Sequence, residues 1–340
     1  MARFGRDDAR EWAREHLRGV AGCVAPTLTT DLKGLNEAAI RHDVRREKEL
    51  GFAGMLLVAE VGTTPAEMRD FIDIAVDEAG GELITILQAS EQTLQDNIDL
   101  IAHAEQAGAD LVLPSFPLMF YPQSEDEVHA FFTDMADSTS MGMIVFAIHL
   151  WNFGRLHPST FSPALIRRLV DDCPNVVAIK NEIGHPTVAG VTEVFERFGD
   201  EVVVTDPMEH NAPTWARAYG MQFLGTSNYE YAGAAVPEMF ALLQDRDRYD
   251  EAMDLYWKMQ PARLANLAVM GEAIAGTSLV PRLVWKYQGW LQGFNGGPIR
   301  FPQGRITDAQ MARLRASLVA AGLPVTDDPD AEFFVGRNPA

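Results

Sequence analysis

Between residues 20 and 226, short apolar, β-branched runs alternate with stretches whose apolar positions recur at helical spacing. The runs 20–28, 53–59, 83–88, 110–115, 142–148, 176–180, 201–205 and 222–226 predict eight strands. A turn and then an amphipathic helical pattern follow each of them, as at 36–50, 65–78, 93–107 and 125–135. Such alternation describes βαβ units and a parallel sheet. The first strand leads into no glycine-rich dinucleotide fingerprint, so eight units favour a closed (β/α)8 TIM barrel over an open, doubly wound sheet. Gly51 and Gly108 fall just past two of the helical patterns, where a helix ends in a left-handed residue.

Beyond the eighth run the pattern is helical only, over about 246–275, 279–291 and 307–321. The chain therefore divides into an N-terminal helical segment (1–19), the barrel (20–235), a C-terminal helical extension (236–322) and a tail (323–340) expected to be a surface arm. A barrel of this kind carries its chemistry at the C-terminal ends of the strands.

Composition narrows the function by exclusion. With 48 acidic against 28 basic residues, a net charge of −20 argues against nucleic acid and against an anionic membrane surface. Cys23 and Cys173 have neither metal nor redox spacing and read as free thiols. The N-terminus is charged, and no apolar run approaches the roughly 20 residues of a membrane span. These features predict a cytoplasmic protein acting on a small molecule.

The run Asn175-Val176-Val177-Ala178-Ile179-Lys180 ends in a lysine at the predicted catalytic rim, followed by Asn181 and Glu182. Burial favours the neutral amine of a lysine, the form that attacks a carbonyl carbon. The other reading of Lys180 is a strand-end lysine in an ion pair. The same run resembles the sixth strand of the dihydrodipicolinate synthase and N-acetylneuraminate lyase family. Pro26-Thr27, Gly51 to Gly54, Ala107 to Asp110 with Pro117, Gly220 to Asn228, and Trp285-Lys286-Tyr287 with Gly297 to Arg300 are similar to it in order and spacing. Together they cover about residues 20–322. The resemblance implies a Schiff base between Lys180 and a 2-keto acid or related carbonyl compound, with no cofactor and no metal. It also implies a homo-oligomer, dimer or tetramer.

Departures from the family pattern bear on the substrate. Where the family carries hydroxyl residues that hold the keto acid's carboxylate, this chain has Ala59-Glu60-Val61-Gly62-Thr63, leaving Gly62 and Thr63 for that grip. The tyrosine that relays protons in the family aligns with Phe146, which transfers none. His149, Glu60 and Tyr229 are the replacement candidates; His149 reads equally as a structural histidine. A longer loop after the fifth strand holds Trp151 and Arg155, and the aromatic run Leu118-Met119-Phe120-Tyr121 follows the fourth. That run suggests a bulky, apolar substrate wall or packing. Phe146, Asn181, Glu182, Asp206, Ser227 and Asn228 complete the expected substrate contacts, with Asp206 and Glu209 alternatively capping a helix. Two further readings remain: a metal-assisted lyase or isomerase using Glu60, His149, Glu182, Asp206, Glu209 and His210, and a non-catalytic barrel with Lys180 ion-paired to Glu60. Substrate identity, and whether cleavage, condensation or dehydration is the step, are left open.

Overall fold

The computed structural model describes residues 3–59, 61–117, 119–182, 187–277, 280–300 and 305–340. The chain is an α/β protein of the (β/α)8 barrel class with a C-terminal helical extension. Its elements in chain order are α1 (Ala9–His16), β1 (Gly19–Val24), α2 (Glu37–Glu49), β2 (Gly54–Leu57), α3 (Pro65–Ala79), β3 (Ile84–Ala89), α4 (Leu94–Ala107) and β4 (Leu111–Pro114). There follow α5 (Glu125–Asp137), β5 (Gly142–Phe146), α6 (Pro163–Asp172), β6 (Val176–Lys180), α7 (Thr187–Phe198), β7 (Val203–Thr205), α8 (Ala212–Tyr219) and β8 (Phe223–Gly225). Helices α9 (Ala235–Leu243), α10 (Tyr249–Lys258), α11 (Gln260–Thr277), α12 (Arg282–Leu291) and α13 (Asp308–Ala321) form the extension.

All eight strands coincide with the predicted runs. The first run stops at Val24 rather than continuing to residue 28, because Pro26 has no N–H to give to a ladder. The helical pattern from 246 is broken into α10 and α11 where Pro261 enters the first turn of the second helix. Helix boundaries follow local chemistry. Thr64 and Glu67 form a reciprocal capping box on α3, Thr93 and Ser162 cap α4 and α6, and Gly108 ends α4 at φ 98°, where a Cβ is strained. Among the described residues, no helix is long and apolar enough to cross a membrane.

Two compact units organise the chain. The first comprises Met1–Ala21 and Ile84–Thr226. Within it, β3, β4, β5, β6 and β7 pair in parallel in that order, and the start of β1 pairs with β8. Every residue of β3 to β8 is buried. Arg10 on α1 donates to the carbonyls of Val176 and Cys173 at 2.9 Å, holding the N-terminal helix to the start of β6. Asn175, fully buried, donates to the carbonyls of Ala136 and Met141 at 3.0 Å and of Thr139 at 3.3 Å.

The second unit comprises Gly22–Leu83 and Ser227–Ala340. Here the tail departs from the expected surface arm. Phe333 is fully buried against Tyr287 and Trp290, and Arg337 donates to the Trp290 carbonyl and to Asp328. A charged, proline-containing segment docks because one aromatic ring and one guanidinium find prepared partners.

Candidate active site

β6 is buried from end to end and finishes on Lys180, which is 6% exposed. Register sets the neighbours: Phe146 at the end of β5 pairs with Lys180, and Lys180 pairs with Thr205 at the end of β7. Asn181 N–H donates to the Thr205 carbonyl at 2.7 Å, and Glu182 N–H to the Lys180 carbonyl at 3.2 Å. This tight turn brings residue 182 back beside the lysine. Lys180 Nζ lies 3.0 Å from Glu182 Oε1 and 4.2 Å from the centre of the Phe146 ring. A buried ammonium requires such a partner, and the ring face adds a second, weaker attraction.

Around this pair the first unit builds an aromatic wall. Trp151 meets Phe146 edge-on at 5.0 Å and Phe116 at 5.2 Å, and Phe116 stacks on Phe120. Arg155 donates to the Pro122 carbonyl and covers the Tyr121 ring at 3.8 Å, so these two loop residues engage each other. Asp206, buried, accepts from Met208 N–H at 2.8 Å, Asn211 Nδ2 at 2.9 Å and Trp215 Nε1 at 2.7 Å. Burial raises its pKa above the ordinary carboxylate value, the three donors oppose that, and the nearby charge of Glu182 adds to the rise. Asp206 is thus tied to its own loop and to α8 without capping a helix, since neither the 3-10 turn at Glu209–Asn211 nor α8 has a side-chain cap. The Asn181 side chain is 3% exposed, and among the described residues neither of its polar atoms has a hydrogen-bond partner.

Of the expected site residues, the structure brings Lys180, Asn181, Glu182, Phe146 and Asp206 together in the first unit. Glu60 lies outside the described residues, as does the side chain of His149, whose backbone starts a 3-10 turn. Gly62, Thr63, Ser227, Asn228 and Tyr229 belong to the second unit. There Gly62 gives its carbonyl to Arg300, Asn228 donates to Gln288 at 2.7 Å, and Tyr229 is buried.

The sequence reading missed a buried charged cluster in the second unit. Asp43 and Glu47 interrupt the inward face of α2, one turn apart, and Glu230 faces Glu47. Gly22 lies beneath the two carboxyls, where a Cβ would collide with Glu230 Oε1 and stand 3.0 Å from Glu47. Lys286 on α12 donates to Thr27 Oγ1 at 2.9 Å, and burial pushes its pKa down to about 8. Asp43, Glu230 and Lys286, with Asn228 and Cys23, border a cavity of ≈ 30 Å³, room for water. The signal available in sequence was an Asp and a Glu at the same helical phase as Ile40 and Val44.

Burial, and then the mutual repulsion of two acids, raise the pKa of Glu47 well above the ordinary value; burial raises that of Glu230 as well. Such groups keep protons in the folded state that the unfolded chain has already released. Their contribution to stability is therefore complete below the unfolded carboxylate pKa and is lost as pH rises through the folded values. Glu47→Gln retains a donor toward Glu230 and removes one titration. Its melting temperature is expected to exceed that of the parent by roughly 2–4 °C at pH 8 and to match it near pH 5. Parallel pH profiles in thermal melts of the two proteins would rule the assignment out.

The Dihydrodipicolinate synthetase family model matches residues 31–263, a span that includes Lys180 and Glu182. A 4-hydroxy-tetrahydrodipicolinate synthase from Methanopyrus kandleri is 27% identical over 189 residues, covering 54% of this chain and 59% of the relative. The chain thus spans about three-fifths of that relative's length. A probable 5-dehydro-4-deoxyglucarate dehydratase from a Bradyrhizobium strain is 24% identical over 260 residues, 76% of each chain. In fold, the chain is similar to the crystal structure of N-acetylneuraminate lyase from Fusobacterium nucleatum, with a TM-score of 0.73 at 17% identity over 89% of this chain and 98% of the other. With a family model matched over well more than half its length and a (β/α)8 scaffold that presents Lys180 at the end of β6, this chain belongs to the dihydrodipicolinate synthetase family.

Proposed function

We propose that the protein is a lyase that forms a Schiff base between Lys180 and a 2-keto acid or related carbonyl compound. The observation that carries this reading is the buried Lys180 Nζ at the end of β6, paired with a carboxylate that can take its proton. Attack by the neutral amine gives a carbinolamine; loss of water gives an iminium that draws electrons from the adjacent carbon, so a bond one atom further on can break or form. No cofactor is needed for that electron sink. Asn181, with a buried amide directly after the nucleophile, is suited to a polar group of the substrate. The rings of Phe146 and Trp151 favour a substrate with an apolar or aromatic portion. Borohydride trapping with 2-keto acids and aromatic aldehydes, followed by intact mass and peptide mapping, tests the reading. A reduced adduct on Lys180 supports it, and the added mass identifies the carbonyl class. No adduct from any member of the panel, with the protein folded, rules it out.

A second reading also has an observation behind it. The 3.0 Å ion pair of Lys180 with Glu182 fits a barrel that binds ligands without turnover. Binding of a panel member without trapping or conversion would favour that reading.

A further inference from the structure

We propose that Glu182 is the acid–base residue for the Lys180 chemistry, making the proton transfers for which the paired position on β5 offers only a phenylalanine. The proposal rests on the Schiff-base reading. Its basis is geometric. Lys180 and Glu182 stand two residues apart across a tight turn, and this places a carboxylate oxygen 3.0 Å from the reacting nitrogen, within direct proton-transfer distance. The carboxylate is 15% exposed, sheltered yet open to an entering ligand.

Among the described residues, the other candidate groups of the first unit are unsuited to the task. The Phe146 ring occupies the β5 side at 4.2 Å and has no exchangeable proton. Asp206 follows β7, and its carboxylate is already committed to a backbone amide, Asn211 and Trp215. Tyr121, in the loop after β4, is 65% exposed and lies under the Arg155 guanidinium. Thr205, which pairs with Lys180 on β7, is a hydroxyl residue with no capacity to hold a proton as a strong acid or base near neutral pH.

The proton inventory closes with this one carboxylate. Glu182 takes a proton from the Lys180 ammonium, and the amine forms an N–C bond to the carbonyl carbon as the C=O π pair moves to oxygen. The nitrogen's extra proton passes to that oxygen, giving the neutral carbinolamine. Glu182, now a carboxylic acid, protonates the hydroxyl; the C–O bond breaks, water leaves, and the nitrogen pair forms the iminium. The carboxylate is regenerated. In sum, ammonium and carbonyl become iminium and water, with charge conserved.

The test compares Glu182→Gln and Glu182→Asp with the parent, using pyruvate, phenylpyruvate and benzaldehyde as probes. The rate of appearance of borohydride-trappable mass on Lys180 is followed across pH 5–9. Glu182→Gln is expected to slow adduct formation by roughly 10²–10⁴-fold, to flatten its pH dependence and to leave the final adduct yield unchanged. Glu182→Asp, which keeps the carboxylate, is expected to recover much of the rate. A Gln variant that labels at the parent's rate with the parent's pH profile overturns the role of Glu182 while leaving the Schiff base intact. Failure of the parent itself to label overturns the Schiff-base reading and this proposal together.

Discussion

Lys180→Met is expected to abolish trapping by borohydride and to reduce turnover by roughly 10⁴–10⁶-fold, the range seen when a covalent nucleophile is removed. Methionine is close to lysine in length and fills the same space against the Phe146 ring, so the apolar contacts of β6 persist. What disappears is the nitrogen that forms the carbinolamine and holds the electron pair. The variant also leaves Glu182 without its ion-pair partner. That carboxylate is partly exposed and adjoins no other described cation in a salt bridge, so it gains hydration on losing the lysine. A modest fall in melting temperature, with trapping abolished and turnover reduced on that scale, is therefore the signature of a nucleophile. Turnover and mass labelling of parent and variant on the probe panel decide the matter. Conversion by the variant at even a tenth of the parent's rate would remove Lys180 from the chemistry and turn attention to the ion-paired, ligand-binding alternative.

The largest effect expected on stability comes from Asn175→Ala. Asn175 precedes β6, is fully buried, and gives its amide to three carbonyls, those of Ala136, Thr139 and Met141. These carbonyls belong to the end of α5 and the turn into β5, the strand that carries Phe146. Truncation strands buried carbonyl oxygens without donors and leaves a gap, a combination costing on the order of 2–4 kcal/mol. With an unfolding entropy of about 2.1 cal/mol/K per residue, a chain of 340 residues shifts by about 1.4 °C per kcal/mol, so the melting temperature should fall by about 3–6 °C. Because β5 and β6 hold Phe146 and Lys180 in register, the variant should also label Lys180 more slowly at temperatures where it remains folded. Calorimetry and trapping on the same sample measure both. A melting temperature within a degree of the parent would show that water or side-chain rearrangement satisfies the three carbonyls.

Much of the molecule is legible in the sequence, and the reason differs from element to element. The run from Val176 to Lys180 is short, β-branched and entirely apolar before its final residue, the pattern of a strand buried on both faces. Its flanks, Asn175 before and Asn181-Glu182 after, mark where the strand must begin and end. The capping pair Thr64 and Glu67 and the left-handed Gly108 are equally local, each acting within one helical turn. Position 146 reads from sequence as the replacement for a tyrosine, and strand order places β5 beside β6; the pairing of Phe146 with Lys180 also depends on a register shift between Met143 and Ile144.

Longer-range properties were not legible. Three candidates stood for the proton transfers, Glu60, His149 and Tyr229, on the strength of residue type and strand-end position. Glu182 was read as a substrate contact, because spacing along the chain does not say that a turn will return residue 182 to the lysine nitrogen. The C-terminal tail looked polar enough for solvent, yet Phe333 is buried and Arg337 reaches back to Trp290 and Asp328. Composition averages over a segment, whereas docking depends on one ring and one cation.

By itself, then, the sequence determined the barrel class, the eight strands, and the lysine at the end of the sixth. These depend on hydrophobic periodicity and turn chemistry, which act between near neighbours. Only the tertiary structure decided that Glu182 partners Lys180, that Asp206 is consumed by Asn211 and Trp215, and that Glu47 and Glu230 confront each other over Gly22. Hydrogen bonds and close ion pairs need side-chain atoms within about 3–4 Å, and which side chains come that close is fixed by packing of the folded chain.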